Sequence, residues 1–125
     1  MSGKSDAYRG VVDAVDRMVN RGDEADAVLR AVVDLLYERL PHCSRVGISL
    51  VEDGELVLGP SRGAETGRPF AASVPIEFEG RVVGELGLDC EHVDDEDRSA
   101  LERIAVLISQ HALVAWDTGG EAWNP

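Results

Sequence analysis

Residues 45–60 read RVGISLVEDGELVLGP and residues 70–90 read FAASVPIEFEGRVVGELGLDC. In the first stretch Val46, Ile48 and Leu50 alternate with Arg45, Gly47 and Ser49, the period of a half-buried strand. Asp53-Gly54 is the dipeptide of a two-residue hairpin turn, and the spacing predicts a return strand from Glu55 to Gly59 closed by Pro60. Residues 61–69 carry Gly63, Gly67 and Pro69 with few apolar side chains, the composition of a surface loop. A third strand is expected from Phe70 to Phe78. Pro75 inside it has no N–H for a ladder, which places that strand at a sheet edge. Glu79-Gly80 then turns the chain into a fourth strand, Arg81 to Cys90, the longest and expected to be central.

Helical spacing flanks this β region on both sides. Tyr8, Val11, Val12, Val15, Met18 and Val19 recur three and four apart, the stripe of an amphipathic helix ending near Asn20, with Gly22 as the stop. Asp23 as N-cap, with Asp26 in the first turn, launches a second helix whose apolar positions are Ala25, Val28, Leu29, Val32, Leu36 and Leu40, broken by Pro41. Asp94 with Asp97 caps a final helix striped by Leu101, Ile104, Ala105, Ile108, His111, Ala112 and Trp116. From Thr118 the tail is expected to be disordered. The cluster Asp94, Asp95, Glu96 and Asp97 lacks the turn glycine and bidentate glutamate of a calcium loop, and carboxylates at the positive end of a helix dipole account for it.

Charge and composition restrict function. The 24 acidic and 12 basic side chains of these 125 residues give a formal charge of −12, which repels nucleic-acid backbones and anionic membrane surfaces. No apolar run approaches the roughly 20 residues of a membrane span, and the opening MSGKSD is too polar for a signal peptide, so a cytoplasmic location is expected. Cys43 and Cys90 are the only cysteines. Two are too few for a disulfide scaffold, and a reducing compartment keeps such a pair as thiols.

The order of two helices, a hairpin, a second hairpin and a long closing helix resembles a GAF domain, a relative of PAS domains found in signalling proteins. The resemblance spans residues 23–116. Within it, residues 56–60 (LVLGP) and 84–89 (GELGLD) are similar to segments of free methionine-R-sulfoxide reductases. Those enzymes carry a long insertion between strands two and three that roofs the substrate and supplies the redox cysteines. Ser61 to Phe70 is far shorter here and holds no cysteine. A thiolate nucleophile and a resolving thiol are both required to reduce a sulfoxide, and neither is assigned. The substrate-gripping carboxylate of strand three falls near Ala71, which has no acid, while its counterpart on strand four matches Asp89.

If Val46, Ile48, Leu50, Leu86 and Leu88 face the helices, then Ser49, Val51, Glu85, Gly87 and Asp89 point the other way. The resemblance makes that second face the ligand side. Gly47 and Gly87 leave space beside the sheet, and Ser49, Glu85 and Asp89 are the candidate ligand-binding residues, the carboxylates suited to a cationic or amine-bearing molecule. The alternative is a polar outer face in water, as antiparallel sheets commonly have. Pairing of strands one and four brings His42 and Cys43 near Cys90 and His92, yet neighbours in an extended segment point oppositely, so no metal site is assigned, and a Cys43–Cys90 disulfide is the lesser reading. His111 is read as a packing residue of the last helix.

The sequence therefore predicts an α+β fold of GAF/PAS type: a four-stranded antiparallel sheet of order 2-1-4-3 with its helices mainly on one face. Residues 1–22 form a terminal helix for packing or dimerisation, surplus to one core, residues 23–117 the domain, and residues 118–125 the tail. The expected role is a non-catalytic sensory or regulatory module, its expected partners a small molecule, a second copy or another protein; the enzyme alternative is a divergent free methionine-R-sulfoxide reductase. The sequence names no cofactor.

Overall fold

Two residues in left-handed backbone close each hairpin: Asp53 (φ 50°) with Gly54 (φ 81°), and Glu79 (φ 51°) with Gly80 (φ 79°). Positive φ at both central positions is the type I′ turn, whose twist matches the strands it joins. The structure, a computed structural model, describes residues 3–63 and 68–117, with side chains described as far as Ala112. Its elements are α1 (Gly3–Arg21), α2 (Ala25–Arg39), β1 (Cys43–Glu52), β2 (Glu55–Gly63), β3 (Ala72–Phe78), β4 (Arg81–Cys90) and α3 (Asp95–Asp117). The strands form one antiparallel sheet in the order β2-β1-β4-β3, as the sequence predicts.

One face of that sheet is dry. Val46, Ile48, Leu50, Leu86 and Leu88 are buried in a core with Val28, Leu29, Val32 and Leu36 of α2 and Leu101, Ile104 and Ile108 of α3. Helix α2 lies over β1 and β2, α3 lies over β3 and β4, and α1 packs against α2 and α3 as a further layer. The expectation that the α1 stripe is surplus to one core is corrected here. Tyr8, Val11 and Val15 are buried within the same core, because two helices on the sheet leave their own outer ridges in need of cover. Burial of each valine contributes about 1.5 kcal/mol or more. Trp116 lies outside the residues whose side chains are described, and the tail from Thr118 lies outside the described residues altogether.

Four local expectations are revised. Asp23 does not cap α2; Glu24 holds that position without a side-chain cap, while the Asp23 carboxylate accepts two bonds from the Arg21 guanidinium, at 2.9 and 2.6 Å. A paired, charge-assisted contact outcompetes a single backbone N–H. Strand β2 continues through Pro60 to Gly63, where a loop was expected. Its register slips between Gly47 and Ser49 of β1, so Gly59 and Pro60 stand opposite a single residue, and a bulge in an edge strand tolerates proline's missing donor. Strand β3 begins at Ala72, two residues after Phe70. Lastly, Cys43 and Cys90 are joined as a disulfide, where free thiols were expected. Antiparallel pairing sets the two residues directly across from each other, with Cα atoms 3.8 Å apart, and proximity in the fold overrides the low cysteine count.

The two helix ends that position α1 and α3 follow their sequence signals. Gly22 (φ 80°) terminates α1, with its N–H donating to the Val19 carbonyl and that of Asp23 to the Met18 carbonyl, the Schellman arrangement. At α3 the Asp97 N–H donates to Asp94 Oδ1 and the Asp94 N–H to Asp97 Oδ2, a reciprocal capping box.

Candidate functional site

Pairing of β1 with β4 sets Arg45 across from Asp89, Gly47 across from Gly87 and Ser49 across from Glu85. All six belong to the face turned away from the helices. Ser49 and Glu85 are thus neighbours, as proposed for a binding site, but Asp89 stands four residues farther along the strand, roughly 13 Å away. Phe70 occupies the middle. A Cβ placed on Gly47 would lie 2.6 Å from Phe70 Cζ, and one placed on Gly87 would lie 2.4 Å from Phe70 Cγ. The space that the two glycines were expected to leave for a ligand is therefore filled by the chain's own phenyl ring.

Asp89 is likewise engaged from within. Arg45 Nε donates to Asp89 Oδ2 at 2.7 Å and the Ala71 N–H donates to Asp89 Oδ1 at 2.7 Å. The same guanidinium donates through its terminal nitrogen to the Arg68 carbonyl at 2.7 Å and stacks 4.0 Å from the Phe70 ring centre. Arg45 is only 7% exposed. Residues 68–71 thus form a strap drawn over the Arg45–Asp89 ion pair by two hydrogen bonds and a cation–π contact. A recess of about 410 Å³ opens beside it, lined by Ser44, Arg68, Pro69, Ala71, Asp89, Cys90 and Glu91.

Sequence reasoning placed Asp89 and the two glycines on this face and did not anticipate Arg45 and Phe70 against them. The missed signal was a glycine on each of two adjacent central strands, which marks close approach of another group as readily as empty space. Where a second gripping carboxylate was sought near Ala71, the chain offers a backbone N–H to Asp89 instead. Cys43 belongs to the core cluster and Cys90 packs against it, so the sulfurs lie on the helix side of the sheet and the Asp89 carboxylate on the other.

A second polar cluster lies under α1. Asp97, fully buried, accepts bonds from the Tyr8 hydroxyl at 2.6 Å and from Lys4 Nζ at 3.0 Å, in addition to its capping contact. Burial pushes the Asp97 carboxyl up, but the Tyr8, Asp94 and Lys4 donors together hold it below its ordinary value. Burial beside this carboxylate raises the Tyr8 phenol. His42 stands alongside, its Nε2 3.7 Å from Asp97 Oδ1. His92, expected near the cysteines, is exposed. The tyrosine and the carboxylate are two ends of a structural network joining α1 to α3, and the acidic run at 94–97 acts as a cap.

This arrangement of sheet and helices is the GAF-like fold. Neither family models nor curated proteins match the chain by sequence. Among solved structures it is similar to free methionine-R-sulfoxide reductase from Neisseria meningitidis in complex with its substrate (TM-score 0.77, 22% identity, 94% of this chain and 95% of that one). It is also similar to GAF domains of phosphoenolpyruvate-protein phosphotransferases from Coxiella burnetii (TM-score 0.72, 15% identity, covering 95% and 99%) and Acinetobacter (TM-score 0.70, 14% identity, covering 97% and 99%).

Proposed function

We propose that this domain is a non-catalytic sensory module whose site is the sheet face around Asp89, and whose ligand is a compact amine- or guanidine-bearing molecule. The observation that carries the reading is the internal cation. Arg45 sits on the Asp89 carboxylate beneath an aromatic ring, the environment that recognises a cationic ligand, and the strap that completes it is only four residues long. A ligand enters by displacing Phe70 and taking over the carboxylate, so its apparent affinity is reduced by the fraction of molecules already open. Displacement of the strap is the signal that such a module passes on.

The test compares wild type with Phe70→Ala by native mass spectrometry and thermal shift against free amino acids, amines and guanidines. Phe70→Ala is expected to bind roughly tenfold more tightly or better, since it removes the closing ring. Asp89→Asn in the same background should abolish binding. If neither protein gains mass or stability with any of these, the reading fails.

A protein-facing role has its own support in Leu56 and Leu58, 48% and 43% exposed on the edge strand β2. Self-association is proposed through α3, where Val106 is 74% exposed. Light scattering should then show a mass that rises with concentration and is returned to monomer by Val106→Glu; a constant monomer mass in the wild type refutes the dimer.

A further inference from the structure

We infer that, when the Cys43–Cys90 disulfide is reduced, the two thiolates and the His42 imidazole form a binding site for one thiophilic divalent cation of the zinc class, and that the disulfide is the metal-free, oxidised state of the same site. One sulfur from each cysteine and one ring nitrogen of His42 lie within 4.8 Å of one another. Two sulfurs and an imidazole are the donor types of tetrahedral zinc, with bonds of about 2.3 Å to sulfur and about 2.0 Å to nitrogen. Moving from the disulfide to such a site requires only that the S–S bond open and the ring close in.

His42 is where the extended-chain argument against a shared metal fails. It lies in the turn that precedes β1, so alternation of side chains does not apply between His42 and Cys43. Backbone bonds hold the donors in place: the Cys43 N–H donates to the Leu40 carbonyl at 2.9 Å, and the Glu91 N–H donates to the His42 carbonyl at 3.2 Å. The imidazole also has unmet capacity. His42 Nε2 is buried and has no hydrogen-bond partner among the described residues, an uncommon condition for a polar atom in a core. Two thiolates offset the charge of a divalent ion, so the loaded site is neutral and tolerates burial, while the partial exposure of His42 and Cys90 leaves a path for entry and a fourth position for water.

The chemistry balances with a dithiol as reductant. It transfers two electrons and two protons to the Cys43–Cys90 bond and leaves as its own disulfide, giving two thiols. Binding the cation releases those two protons to solvent as two metal–sulfur bonds form, and neutral His42 adds a lone pair. A disulfide-class oxidant reverses the sequence: it takes two electrons, the sulfurs rejoin, and the ion leaves to water.

The experiment reduces the full chain with a phosphine, removes the reagent without air, and titrates zinc against a chromophoric chelator, with cobalt as the spectroscopic probe. One ion per reduced chain is expected, with thiolate-to-cobalt charge-transfer and tetrahedral ligand-field bands, and no such binding by the oxidised chain. His42→Gln, which keeps the disulfide and lies in a turn, should weaken binding by more than the roughly 10–100-fold typical of outer-shell changes, and Cys90→Ser should remove the charge-transfer band's full intensity. Circular dichroism of each variant separates loss of ligand from loss of fold. If reduced wild type binds zinc no better than oxidised protein, or if folded His42→Gln binds as tightly as wild type, the inference is overturned.

Discussion

Gly87 and Phe70 show how one side chain decides what a sheet face can do. With glycine on both central strands the phenyl ring lies flat against backbone; with any larger residue it cannot. Gly87→Ala is therefore expected to lift the strap and cost about 1–3 kcal/mol by overpacking, read as a lower urea midpoint. In a Phe70→Ala background the same change should cost markedly less, a coupling that a double-mutant cycle measures directly. Equal cost in both backgrounds would mean that the ring does not set the limit. Asp89 was legible in the sequence as an outward carboxylate on a central strand. Its partner was not, because the Arg45–Asp89 contact depends on which strand lies beside which and in what register.

At the scale of elements, α1 and α3 are joined through a buried carboxylate, and their stability is tied to acid. Asp97 and Asp94 both ionise below the ordinary aspartate value of 3.8, the latter chiefly through its bond from Lys4. Folded-state values below unfolded ones mean that the contribution is present above 3.8 and is lost as pH falls through the depressed values. Tyr8→Phe removes one donor to that carboxylate and should cost about 1–2 kcal/mol at neutral pH, with the difference from wild type shrinking in strong acid, as denaturation at the two conditions would show. His111 on α3 acts in the same direction at higher pH. Burial lowers its imidazole below the ordinary 6.5, so the folded state resists protonation and stability declines as pH falls through 6.5. His111→Leu should remove that step from a plot of melting temperature against pH while leaving the more acidic one. The α3 cap and stripe could be read from spacing alone; the descent of Tyr8 and Lys4 onto the cap could not, since they lie about ninety residues away in sequence.

For the whole molecule, the disulfide closes the largest covalent constraint. It joins residues 47 apart, and in the chain-entropy account opening such a loop costs about 4 kcal/mol. Reduction should thus lower the urea midpoint while the far-ultraviolet dichroism of the native state persists, because the β1–β4 ladder and the core hold the register without it; unfolding on reduction would show that they do not. The resemblance to GAF domains implied the strand order 2-1-4-3; by itself the sequence determined the α+β class, the two hairpin turns and the dry face of the sheet. Those follow from local propensity and from period-two and period-3.6 patterns, which each short segment carries in full. Only the tertiary structure decided that the other face is covered by Phe70, that Asp89 meets Arg45, that α1 belongs to the core and that Cys43, Cys90 and His42 converge. These are pairings between distant segments, fixed by the register of strands and the docking of helices, and no local pattern encodes the distance between them.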